Sequence, residues 1–166
     1  MSVTAALKAN EEAIAEDAGR ARVVFATHGA LDGPTHVTLT SRGHRIEVDE
    51  PDVLAGADRN ANPVEYALAS LASCQAITYR FWAAKLGIAL DGVEVAVEGD
   101  LDLHGFFGLD DSTRAGFTGI RLDVTPRGPE SAERYRELAD AVDAHCPVLD
   151  LFVNPTAVER RLAVPA

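Results

Sequence analysis

The amino-acid sequence predicts an α+β fold, an antiparallel β-meander combined with one long buried central helix. Three observations lead there. Short runs that alternate polar and apolar residues flank a single long helical stretch without charge. Only two long helices interrupt the strands, which argues against a doubly wound parallel sheet. The 166 residues, 47% hydrophobic and 25% charged, suit one core. The chain is read as one domain over 1–166, with residues 1–19 as an N-terminal helical extension.

Helix formers with an acidic face fill residues 4–18, and Gly19 closes that segment. Residues 21–27 (ARVVFAT) are rich in β-formers and predict a first strand. Gly29, Asp32, Gly33 and Pro34 predict a hairpin turn over 28–34. Residues 35–41 and 44–49 alternate around Arg42 and Gly43, completing a three-stranded meander, and 51–62 read as a loop. The best-marked element follows. Asn62 can cap a helix, Pro63 suits its first position, Glu65 stands where a capping box needs a carboxylate, and Gly87 suits its end. Its first half carries no charge on any face over 67–74, which predicts a helix buried all round.

Val93, Val95 and Val97 share one face of a further strand, with Leu101 and Leu103 in the same phase. Residues 104–118 form a glycine-rich excursion. Ile120, Leu122 and Val124 mark another strand. Ser131 caps a helix running to about His145, with Tyr135, Leu138, Ala139, Val142 and Cys146 along its apolar line, and Pro147 ends it. Residues 157–164 predict a last strand.

Net charge limits the partners. With 26 acidic and 15 basic side chains the formal charge is −11, which repels nucleic-acid phosphates and anionic lipid heads. Neither nucleic acid nor a membrane is expected as a partner. No apolar run is long enough to span a bilayer, and residues 1–20 lack a signal-peptide pattern, so a cytoplasmic location is expected. His28, His44 and His104 have no partners at metal-ligand spacing, and Asp110 and Asp111 read as a solvated turn.

The chemistry rests on two cysteines, Cys74 and Cys146. Both are expected to face an interior, and neither is placed at a helix N-terminus. They are either inert core residues or a redox pair that the fold alone could bring together.

The stretch 62–74 (NPVEYALASLASC) resembles the helix opening of the OsmC/Ohr family, Asn/Thr-Pro-x-Glu followed by small residues and a cysteine. The His145-Cys146-Pro147 run resembles that family's second signature. Residues 42–51 and 90–102 resemble the strands on either side of the central helix. The resemblance covers roughly residues 20–164. It implies an intertwined homodimer in which Cys74 is the peroxidatic thiol, Cys146 the resolving thiol, and Glu65 the glutamate of the family's site. It further implies a thiol-dependent peroxidase for organic hydroperoxides and hydrogen peroxide in oxidative-stress defence. A dithiol reductant such as a lipoylated protein would restore the thiols, with no metal or organic cofactor. Phe106, Phe107, Phe117, Trp82 and Phe152 are candidates to line an apolar pocket.

One departure from the pattern stands out. The peroxidase branches of the family carry an arginine at the start of the second strand, and here that position holds His36 or Thr35. Arg42, Arg45 and Arg59 are the cations nearby in sequence. The alternative readings are a non-catalytic binding protein for an apolar ligand and a thiol redox sensor.

Overall fold

Two antiparallel sheets and a central helix organise the computed structural model, which describes residues 1–164. In chain order the elements are α1 (Val3–Glu16), β1 (His28–Asp32), β2 (His36–Ser41), β3 (His44–Val48), α2 (Pro63–Leu86), β4 (Gly92–Asp100), α3 (Leu103–Phe106), β5 (Gly119–Arg127), α4 (Ala132–Asp143) and α5 (Pro147–Val153). Strands β1, β2 and β3 form one sheet in that order, and β4 pairs with β5 in another. The α+β class is as expected.

Helix α2 begins and ends where its capping residues predict. The Asn62 side chain accepts from the Glu65 N–H, and the Glu65 carboxylate accepts from the Asn62 N–H at 2.8 Å, so the capping box is closed. Gly87 ends it in the left-handed conformation, at φ 65°. The Tyr66 hydroxyl donates to the Glu47 carbonyl at 2.8 Å and ties the helix start to β3. In its second half Tyr79 and Ala83 pack with Ile88, Leu90, Leu138 and Val142, and this cluster is the core. The Arg80 guanidinium holds the far end by donating to the Leu90 and Asp91 carbonyls.

The β4–β5 register, with Val95 opposite Val124 and Val97 opposite Leu122, puts the apolar alternates on one face. Glu98, Asp100 and Arg121 form ion pairs on the other.

The structure corrects several expectations. The first strand is not 21–27 but His28–Asp32, where a turn was expected. His28 already pairs with Thr40, and β2 turns back after Ser41, so residues upstream of about 27 have no strand left to pair with. Val23, Val24 and Phe25 lie exposed beyond that limit. The fourth strand stops at Asp100 rather than running to Leu103, because Asp102 caps the single-turn helix α3 through the His104 N–H. Residues 157–164 form no strand and lie outside regular structure.

Helix α4 stops at Asp143. Pro147 does not merely end it but starts a further helix, α5, as the first helical residue. Finally, α2 is not buried all round. Ala69, Ser70 and Ser73 are exposed, as are Ile77 and Phe81 further along. Among the described residues no helix is long and apolar enough to cross a membrane.

Candidate functional site

Cys74 and Cys146 come together although 72 positions separate them in sequence. Cys74 sits in the middle of α2. Cys146 follows Leu138 and Val142 at intervals of four, and all three are essentially inaccessible to solvent. Their side chains differ in access. Cys146 is 1% exposed, whereas Cys74 is half-buried, so the expectation of two interior thiols holds for Cys146 alone. Both are free thiols.

The turn between α4 and α5 makes Cys146 the N-cap residue of α5, which corrects the expectation that neither cysteine stands at a helix start. Its electrostatics follow from that place. Burial pushes the Cys146 thiol up from its ordinary value. The N–H of Leu149 pulls it back, the hydrogen-bonding contact and charge of Cys74 push it up further, and the Val148 N–H opposes again. These N–H groups face the sulfur without closing a capping hydrogen bond. The net direction keeps Cys146 protonated at neutral pH. No arginine, lysine or histidine is among the causes acting on it.

Glu65 is not part of this pair. It lies nine positions before Cys74 on the same helix, about 13 Å away along the axis, with its carboxylate in the capping box. His36 and Thr35 are also elsewhere, lining a cavity of about 290 Å³ with Asp49, Gly56 and Arg59. Arg45 pairs with Glu47 on the surface.

The sequence reading missed Asp49. Its side chain is buried and accepts from the Thr35 hydroxyl at 2.7 Å and from the N–H groups of Glu50 and Ala57. The Thr35 hydrogen bond first, then the Glu50 N–H, hold its carboxyl well below the usual range, at about 2. A lone aspartate at a strand end gives no periodic signal, so only the fold shows that it anchors the loop leading to α2.

Gln75 was also missed. It is fully buried next to Cys74, with Nε2 3.4 Å from Asp143 Oδ1 and, among the described residues, no partner for Oε1.

Of the five aromatic candidates, Phe117 and Phe152 line one cavity of about 510 Å³. Phe106 and Phe107 are instead exposed and pack edge to face on each other, and Trp82 stacks on His145 with ring centroids 4.1 Å apart. The cavity also contains Leu71, one turn before Cys74, and Leu149, whose N–H faces the Cys146 sulfur.

Chemically, a half-exposed thiol close to a buried, protonated one is an arrangement in which one sulfur can be oxidised from outside and the other can close a disulfide onto it. Among the described residues no group of three or more His, Cys, Asp or Glu side chains could hold a metal ion.

Comparison with known proteins gives a consistent picture. A family model described as OsmC-like protein matches residues 56–160. No curated protein matches the sequence. Among solved structures, an OsmC-like protein from Mycoplasma pneumoniae aligns at TM-score 0.69 and 20% identity, over 78% of this chain and 87% of the other. An organic hydroperoxide resistance protein OsmC from Legionella pneumophila aligns at TM-score 0.61 and 20% identity, over 79% and 90%. An organic hydroperoxide resistance protein from Elizabethkingia anophelis aligns at TM-score 0.58 and 18% identity, over 80% and 89%. At these identities the likeness is one of fold.

Proposed function

The chain belongs to the OsmC-like protein family, and on that premise we propose that it is a thiol-dependent peroxidase that reduces organic hydroperoxides in peroxide defence. The observation that carries this reading is the proximity of two free thiols of unequal access.

The Cys74 sulfur attacks the outer oxygen of the hydroperoxide, the O–O bond breaks, an alcohol leaves, and Cys74 becomes a sulfenic acid. The Cys146 sulfur then attacks the Cys74 sulfur, water leaves, and a disulfide forms. A dithiol reductant, such as a lipoylated protein, returns both sulfurs to thiols.

The order of the two roles follows from the environment. The buried Cys146 is out of reach of a bulky peroxide and is kept protonated. Once Cys74 is a neutral sulfenic acid, its charge no longer opposes ionisation of Cys146. The N–H groups of Leu149 and Val148 remain to favour the thiolate at the moment it is needed.

One equivalent of cumene hydroperoxide added to the reduced protein tests this. Intact-mass spectrometry is expected to show loss of two hydrogens and a peptide link between Cys74 and Cys146. Unchanged mass, or oxygen added without a crosslink, would reject the pair as a peroxidatic couple.

A second copy of the chain belongs to the same reading. Ser70, Ser73, Ile77 and Phe81 form an uncovered stripe on α2, and its small residues allow another helix to approach closely. Two such helices related by an axis near Ser70 would bring Glu65 of one chain level with Cys74 and Gln75 of the other. Light scattering at micromolar concentration is expected to give a dimer. A monomer would remove Glu65 from the site and leave the thiol pair within one chain standing.

The start of β2 carries Thr35 and His36 in place of an arginine, and both line a cavity with Asp49 and Arg59, which favours a second reading, in which the protein binds an apolar ligand without turnover.

A further inference from the structure

The Gln75 side chain is wholly inaccessible to solvent, and among the described residues its Oε1 has no hydrogen-bond partner. Turning the amide round does not repair this. The Asp143 carboxylate only accepts, so Nε2 is the atom that faces it, at 3.4 Å, and Oε1 faces elsewhere. A buried carbonyl left unpaired lowers stability, and leucine or methionine would fill the same space without that cost. A glutamine here therefore needs a reason outside the packing.

Two hydrogen bonds place the amide. Arg134 of α4 donates to the Leu86 carbonyl of α2 at 3.2 Å, and Gln75 donates to Asp143, so the two helices run antiparallel. Cys146, beyond Asp143, therefore lies towards the part of α2 that precedes Gln75, where Cys74 and Leu71 are. Cys74 sits about 100° round the helix from Gln75, at the rim of the same junction, and acts directly on the Cys146 thiol. The two other donors at hand are directed elsewhere in the reduced protein. The Cys146 thiol is turned to Cys74. The Tyr79 hydroxyl, one turn beyond Gln75, lies on the side of Asp143 and Asp140, whose charges act on it. Oxidation of Cys74 brings a further donor, the hydroxyl of the sulfenic acid.

We propose that Gln75 takes part in the thiol reaction, its Oε1 accepting the hydroxyl of the Cys74 sulfenic acid. The assignment rests on the peroxidase reading above and adds a residue to it. A hydrogen bond donated by the neutral acid holds that acid protonated. The oxygen then departs as water rather than hydroxide when the Cys146 sulfur attacks. The sulfenate, which is the form that attacks a second peroxide, stays scarce. Gln75 thereby favours the disulfide over sulfinic acid. The titratable groups facing the junction are Cys146, Tyr79, Asp140 and Asp143, and α5 adds the N–H groups of Leu149 and Val148. The charges of β4 lie on its outer face, and Glu11 of α1 is paired with Lys85 near the far end of α2. All of these stay in place when Gln75 is changed.

Gln75 is the only glutamine in the chain, so glutamine isotopically labelled at its side-chain carbonyl carbon gives a single magnetic resonance signal for this group. Cys146→Ala leaves no thiol or hydroxyl at that position and halts the reaction at the sulfenic acid. One equivalent of cumene hydroperoxide is expected to move the signal of this variant as Oε1 gains a donor. A signal that stays in place overturns the proposal. Gln75→Met, made in the Cys146→Ala protein, keeps the length of the side chain and removes its carbonyl. The pH at which over-oxidation reaches half its limiting rate is then expected to fall by about one unit, so that sulfinic acid forms up to roughly tenfold faster on the acid side of that profile. An unchanged pH profile overturns the proposal as well. Should Gln75→Met not fold, the labelled signal decides alone. Alcohol release is followed in the same samples. None at all removes the peroxidase reading and this proposal with it, whereas stoichiometric release with an unmoved signal removes Gln75 alone.

Discussion

Cys74→Ser is expected to abolish thiol-dependent consumption of cumene hydroperoxide, lowering kcat/KM by roughly 10⁴-fold, as loss of a catalytic nucleophile does. Serine keeps the size of the side chain and its place on α2, so the fold has no reason to change. What disappears is a sulfur that can take an oxygen atom. Cys146 cannot substitute, since it is 1% exposed and held protonated by burial.

Cys146→Ser is expected to behave differently. The first turnover should still release alcohol, because Cys74 remains. The sulfenic acid then has no thiol beside it and should proceed to sulfinic acid under excess peroxide. Steady-state assay with a dithiol reductant separates these outcomes. Equal rates for wild type and Cys74→Ser would remove the peroxidase reading and leave ligand binding in its place. A full rate for Cys146→Ser with direct reduction by the dithiol would keep Cys74 as the nucleophile and remove the disulfide step.

The parts of this site differed in how legible they were. Helix α2 could be read in advance because its ends are marked by chemistry, Asn62, Pro63 and Glu65 at one end and Gly87 at the other. Strands β4 and β5 could be read because one face of each is covered and the other carries Glu98 and Arg121, which enforces alternation. The meeting of Cys74 and Cys146 has no signature in periodicity and was expected only from the family resemblance. Helix α5 escaped because a proline after a helix reads as a stop, although it equally suits a first position. The segment 21–27 has strand composition without a strand beside it, and pairing rather than propensity decides a strand. Residues 67–74 looked buried because nothing in them is charged, yet one side of α2 is uncovered in the single chain. That mismatch between composition and exposure is itself the argument for a second copy.

Gly56→Ala is expected to be among the most damaging single substitutions away from the thiols. The loop from β3 to α2 folds back over its own start. Asp58 N–H donates to the Glu50 carbonyl at 3.1 Å, and Gly56 N–H donates to the Pro51 carbonyl at 3.2 Å. A Cβ at Gly56 would lie 1.6 Å from the Glu50 carbonyl oxygen, and that atom is backbone, so no rotamer change relieves the overlap. The strand end cannot move aside freely, because the neighbouring Asp49 is fixed by Thr35, Glu50 and Ala57 and its own N–H donates to the Ala61 carbonyl. The loop must therefore open, losing those hydrogen bonds just before the Asn62 cap. The cost is expected to be about 3 kcal/mol, at the upper end of overpacking effects, or a fall of roughly 10 °C in Tm for a chain of this size. Gly43→Ala is the internal control, since nothing lies within 4 Å of a Cβ there and its φ is unremarkable. Its effect should stay within about 0.5 kcal/mol. Thermal unfolding of both variants decides the matter. Equal Tm values would mean that the loop does not close over Glu50, and Asp49 would then lose its place as the anchor of the segment that sets the start of α2.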